Sequence, residues 1–135
     1  MIKAIIFDCY GVLVRQDLLR RRVVNEELFA WIKRNRRKYV FAVLSNIERS
    51  QLDAYLSPKE QSYFNVLLAS SEIGRSKPDP EAYKIVSAIL NVPTKQCLFI
   101  DDIQANVIGA EATGMSGLVY KNFAQFEMDA QKLLD

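Results

Sequence analysis

The stretch FDCYGVLV, residues 7–14, ends an apolar run (Ile5, Ile6, Phe7) at one carboxylate, Asp8, followed by Tyr10 and Gly11. A lone acid where a buried strand meets a glycine turn is a costly choice unless a partner or ligand compensates it, which makes Asp8 the first candidate for chemistry. The run over residues 3–9 is continuously apolar rather than alternating, the mark of a strand covered on both faces. Four further runs share that character, at residues 39–45, 65–70, 97–101 and 117–120.

Helical patterns separate the runs. One begins at Asn25, with Glu26 and Glu27 in its first turn, Leu28, Trp31 and Ile32 on one face, and a basic end. Others are expected over 48–56, ending near Pro58, over 80–90 with Asp79 as N-cap and Pro80 at the first position, over 103–113 before Gly114, and over 123–134. The alternation predicts an α/β fold over residues 1–135: one doubly wound, Rossmann-like, parallel five-stranded sheet with helices on both faces and right-handed crossovers.

Composition narrows the chemistry. At 135 residues the chain can bury roughly two-thirds of its unfolded surface. It contains no histidine, so imidazole acid/base chemistry, Ser-His-Asp triads and Cys/His metal clusters are excluded. Catalysis must use carboxylates, lysine, hydroxyls or an oxygen-held metal. The two cysteines, Cys9 and Cys97, lie in apolar runs; they could pair, but reduced core residues are expected. No run approaches the length of a membrane span, and Met1-Ile2-Lys3 opens directly into a strand-like run, so a cytoplasmic protein without a membrane partner is expected. Net charge is +2, with bases bunched at Arg20, Arg21, Arg22 and again from Lys33 to Lys38. The second bunch reads as a solvated helix end, because aromatic interleaving or a nucleic-acid module is missing; nucleic acid is not the expected partner.

The polar residues gather at strand ends. The first run ends at Asp8, the second at Ser45-Asn46 and the fourth at Asp101-Asp102, while Lys77 follows the third in RSKPDPEAY. In an open parallel sheet these carboxyl ends share one crevice. Three carboxylates, a hydroxyl, an amide and an ammonium there suit transfer of a phosphoryl or similar group: Asp8 attacks, the acid pair holds a hard cation, and Ser45 and Lys77 steady the anion.

With these motifs in order, the chain resembles the haloacid dehalogenase-like hydrolase superfamily. FDCYGVLV is similar to its first motif, AVLSN to its second, SKPDPEAY to its third and FIDDIQANVIGAEATGM to its fourth. The resemblance implies Asp8 as nucleophile through an aspartyl-phosphate, Ser45 and Asn46 as substrate contacts, and Lys77 as neutralising charge. It implies Mg2+ on Asp8, Asp101, Asp102 and the Tyr10 carbonyl, with a small phosphorylated or other anionic substrate. A receiver domain would carry its acid pair after the first strand, which this chain does not.

Two features depart from the family's phosphatases. Position 10 there is usually an Asp that protonates the leaving group and activates water. A tyrosine could donate but is a poor base, and losing such a group costs on the order of 10²–10⁴ in rate. Asp-x-Tyr-Gly resembles the dehalogenase branch, whose halide leaves unprotonated, yet that branch lacks the acidic pair of the fourth motif. Tyr10 therefore reads either as a binding and catalytic group or as an aromatic packed over the nucleophile loop. The second departure is the short segment before the first helix, which leaves residues 15–24 as a flap in place of a cap. Arg20, Arg21 and Arg22 either bind an anion at the rim or, the expected case, face solvent on a short helix. A Mg2+-dependent phosphatase is the favoured function, with a dehalogenase or a non-catalytic scaffold as alternatives, and capless relatives suggest a homo-oligomer.

Overall fold

The computed structural model describes residues 1–134. The elements run β1 (Ala4–Phe7), β2 (Val14–Gln16), β3 (Arg22–Val24), α1 (Glu26–Arg34), β4 (Val40–Ser45), α2 (Arg49–Tyr55), α3 (Pro58–Gln61), β5 (Val66–Ala69), α4 (Ser70–Ile73), α5 (Pro80–Leu90), a 3-10 turn (Thr94–Gln96), β6 (Cys97–Asp101), α6 (Gln104–Glu111), β7 (Ser116–Val119) and α7 (Phe123–Leu133). Five strands form one sheet in the order β5-β4-β1-β6-β7, every pair parallel.

The continuous apolar runs follow from that topology. Along β1, Ile5 and Phe7 face one core while Ala4 and Ile6 face the other, and Phe41 and Val43 alternate in the same way with Ala42 and Leu44 on β4. Successive side chains point to opposite faces, so a strand with a core on each side has no polar positions. α1 and α7 cover the first face, where the rings of Trp31 and Phe126 meet edge-on at 5.0 Å. α5 and α6 cover the second, with Tyr83 edge-on to Phe99 at 5.2 Å. Each helix contributes the residues that its apolar stripe predicts, such as Leu28, Trp31 and Ile32 on α1.

The first departure from expectation is the segment carrying the arginine triplet. It is a β-hairpin, with Val14 opposite Val24 and Gln16 opposite Arg22, and not a short helix. Asp17 holds the turn: its Oδ1 accepts from the Leu19 and Arg21 amides, both at 2.9 Å, and its Oδ2 pairs with Arg21 Nε at 2.8 Å. Arg20 takes the left-handed conformation (φ 60°) that closes such a hairpin. The triplet is thereby divided. Arg21 returns to Asp17, Arg22 Nη1 reaches Glu60 at 2.6 Å and the Tyr55 carbonyl at 3.0 Å, and Arg20 is exposed.

Two single-turn helices are also additional to the sequence expectation. α2 ends before Pro58 as expected, and Pro58 then opens α3, where Ser57 and Glu60 cap each other's amides, while α4 follows β5 directly. Cys9 and Cys97 are free and buried at opposite ends of the sheet. Between β1 and α1 stands only the hairpin, with no cap domain. Among the described residues no helix is long and apolar enough to cross a membrane.

Candidate active site

β1, β4 and β6 are the three central strands, and their carboxyl ends bring Asp8, Ser45, Asp101 and Asp102 to one edge of the sheet. Lys77 arrives from the loop before α5. Its ammonium lies 2.8 Å from Asp8 Oδ1 and 2.9 Å from Asp101 Oδ2, and 5.3 Å from the centre of the Phe99 ring. Only 5% of Lys77 is exposed, so this cation is caged by two acids and an aromatic face.

Two amides fix the cage. Asn46 Oδ1 accepts from the Lys77 amide at 2.8 Å and its Nδ2 donates to the Lys77 carbonyl at 2.9 Å, a reciprocal pair that ties the β4 end to the lysine loop. The Asn46 side chain, expected from the sequence to meet substrate, is thus committed to placing Lys77. Asn106, in the first turn of α6, donates to Asp101 Oδ2 at 3.1 Å. Asp101 Oδ1 accepts from the Ile103 amide at 3.0 Å. Asp101 therefore has both oxygens occupied, while Ser45 is buried at the end of β4. The sequence reading did not single out Asn106; its only signal was an amide one turn beyond the acid pair.

The acids crowd each other. Asp8, Asp101 and Asp102 each present an oxygen within 4.8 Å of the others. Burial, as the largest cause, pushes the Asp8 carboxyl up to about 7; Lys77 opposes the rise, and Asp101 and Asp102 add to it. Asp102 is also raised, by burial first and then by Asp101. Three ionised carboxylates against one ammonium leave an excess of negative charge that a divalent cation would neutralise. The space fits one. Gly11 adopts φ +94°, and a Cβ there would stand 2.5 Å from Asp102 Oδ2, so only a glycine lets the loop after β1 lie this close to the acid. Clustered hard oxygen donors suit Mg2+ or a similar ion.

Cys9 is no rival nucleophile. Burial, followed by the Asp8 charge, pushes its thiol up to about 12. Tyr10 packs its ring against Tyr55 at 5.3 Å between centres and is 42% exposed.

A parallel α/β sheet with an acid cluster and a caged lysine at its carboxyl edge is the class of site these residues define. The sequence pattern of haloacid dehalogenase-like hydrolases matches residues 24–114, and the chain belongs to that family. Among curated relatives, it is 49% identical over 51 residues to Phosphatase MT3486 of Mycobacterium tuberculosis, covering 38% of this chain and 24% of that protein. It is 28% identical over 102 residues to the Phosphorylated carbohydrates phosphatase of Thermotoga maritima, covering 76% and 47%. The chain thus spans between about a quarter and a half of the length of these relatives. Among solved structures, a HAD family enzyme of Bacteroides thetaiotaomicron in complex with magnesium and inorganic phosphate superposes with a TM-score of 0.81 at 18% identity, over 93% of this chain and 99% of that one. A HAD-superfamily hydrolase of Ehrlichia chaffeensis gives 0.77 at 19%, over the full length of both. At these identities the likeness is one of fold.

Proposed function

We propose that the protein is a Mg2+-dependent phosphohydrolase that transfers the phosphoryl group of a small substrate to Asp8 and then to water. The observation that carries the reading is the contact of Asp8 with Lys77 inside the Asp8-Asp101-Asp102 cluster. Lys77 Nζ engages Asp8 Oδ1 at 2.8 Å, so Oδ2 is the oxygen that would attack. Lys77 keeps Asp8 oriented and offers positive charge beside the incoming phosphoryl oxygens, and the Ser45 hydroxyl can donate to another. Asp101 holds Lys77, and Asn46 holds the lysine loop. Asp8, Asp102 and the Tyr10 carbonyl would hold the ion, which when bound neutralises the phosphoryl charge and favours ionised Asp8. The phosphatase names of the curated relatives and the phosphate complex of the structural neighbour support the same substrate class.

The test is phosphate release from a panel of phosphate monoesters. Turnover is expected with Mg2+, with loss to background in EDTA and in Asp8→Asn, and trapping of BeF3− on the Asp8 carboxylate. A protein that releases no phosphate from any ester, with or without Mg2+, is the non-catalytic scaffold instead; halide release without metal would make it a dehalogenase.

A further inference from the structure

A departing alkoxide needs a proton, whereas a stabilised oxyanion does not. The surroundings of Asp8 offer few donors. Lys77 is shared by Asp8 and Asp101, and Asp101 is filled by Lys77, Asn106 and the Ile103 amide. Glu60, whose charge reaches Cys9, accepts from Arg22 at 2.6 Å and from the Ser57 amide at 2.8 Å. What the nucleophile loop presents outward is a phenol. Tyr10 is two residues beyond Asp8, and its neighbour Gly11 abuts Asp102. Its ring meets that of Tyr55 at 5.3 Å with the planes inclined by 47°. Tyr55 ends α2, and the Arg22–Glu60 pair of the hairpin and α3 holds its carbonyl. The result is a braced, half-open aromatic corner two residues beyond Asp8.

Resting on the phosphohydrolase reading, we infer that Tyr10 and Tyr55 receive the leaving group and that the substrate is an aryl or heteroaryl phosphate ester. Two independent features converge on that class. A flat ring stacks on the corner, and a phenolic oxygen departs as an anion without a donor acid. In the first step an Asp8 carboxylate oxygen forms a bond to phosphorus while the bond from phosphorus to the aryl oxygen breaks, its electron pair leaving on the aryl oxide. Water then cleaves the aspartyl-phosphate, returning the Asp8 carboxylate and inorganic phosphate, and the proton released is taken up by the aryl oxide. Tyr10 and Tyr55 are specificity-determining groups in this scheme, and the base-free second step is slow.

The experiment compares kcat/KM of the Mg2+-loaded protein for substituted phenyl phosphates, glycerol phosphate and acetyl phosphate. Aryl esters are expected to exceed glycerol phosphate by at least about 10²-fold, with rate rising steeply as the phenol becomes more acidic, since a general acid would be worth about 10²–10⁴. The acetate of acetyl phosphate leaves more readily than a phenolate but has no ring, so the KM of acetyl phosphate should be higher than that of phenyl phosphates by about 2- to 12-fold. Tyr55→Leu should raise the phenyl phosphate KM by that factor and narrow the ratio between the acetyl phosphate and phenyl phosphate KM values towards one. Because that variant could disturb α2, phenylphosphonate and methylphosphonate binding to the unaltered Mg2+ protein is measured by calorimetry, with phenylphosphonate expected to be tighter. Equal phosphonate affinities, or aryl and alkyl rates within about threefold, overturn the inference and leave the hydrolase reading standing. If no compound is turned over but phenylphosphonate is still preferred, the aromatic corner stands and hydrolysis is what fails.

Discussion

Asp8 sits between two demands. As a nucleophile it must be ionised, and in the metal-free protein its burial holds its carboxyl up to about 7. In the unfolded chain the same group ionises near the ordinary carboxylate value. Between those two values the folded state binds more protons than the unfolded state, so stability falls as pH rises through that window and levels off above about 7. Asp17 and Glu72 act oppositely. Hydrogen bonds from backbone amides hold both below their usual values, so what they contribute is present above the ordinary carboxylate range and lost as pH falls through their folded values. In EDTA, Tm is therefore expected to decline from pH 5 to about pH 7. Asp8→Asn should flatten that decline, because the group responsible no longer titrates. A wild-type Tm that rises over the same interval, or a slope identical in the variant, would sink this account. The aspartates were readable from the sequence because polar residues ending apolar runs are rare, and Lys77 because its loop RSKPDPEAY resembles the family's third motif. Asn46 and Asn106 were not readable in their structural parts, since an amide carries no sign of whether it meets a ligand or a neighbouring loop.

The elements show the same divide. β1, β4 and β6 were legible because strands between two cores leave long apolar runs, and α1 and α5 because each has a cap and a stripe. The hairpin was hidden. β2 and β3 have three residues each, and only Val14 is buried in the pair, so neither alternation nor a run marks them. α3 and α4 are single turns, too short for periodicity. The packing of α6 on the lysine loop was equally silent, though Gly109 makes it testable. A Cβ on Gly109 would stand 2.8 Å from Pro78 Cβ and 2.9 Å from the Pro78 carbonyl oxygen, and Pro78 follows Lys77 directly. Backbone cannot swing away as the tip of a long side chain can, so α6 or the loop must shift. Gly109→Ala is expected to cost about 1–3 kcal/mol in urea unfolding, and to lower kcat by displacing the lysine from Asp8. Unchanged stability and activity would mean that this contact does not position the loop.

Across the chain, folding and site formation are one event. The acids come from the ends of β1 and β6, which pair with each other in the middle of the sheet, and are far apart in sequence. An unfolded chain cannot gather them, so an ion that needs Asp8 and Asp102 together binds the folded state alone and stabilises it by mass action. At 100 times its dissociation constant that stabilisation is about 2.7 kcal/mol. For a chain of this length each kcal/mol raises Tm by about 3–5 °C. A bound Mg2+ would also offset the repulsion among the acids near neutral pH, so its effect should be larger at pH 8 than at pH 5, where Asp8 is protonated. Thermal scans with MgCl2 against NaCl of equal ionic strength separate site binding from screening. A magnesium-specific rise that grows with pH and is lost in Asp102→Asn is expected. Equal shifts from both salts would show that the acid cluster holds no divalent ion, and the proposed chemistry at Asp8 would lose its counter-charge.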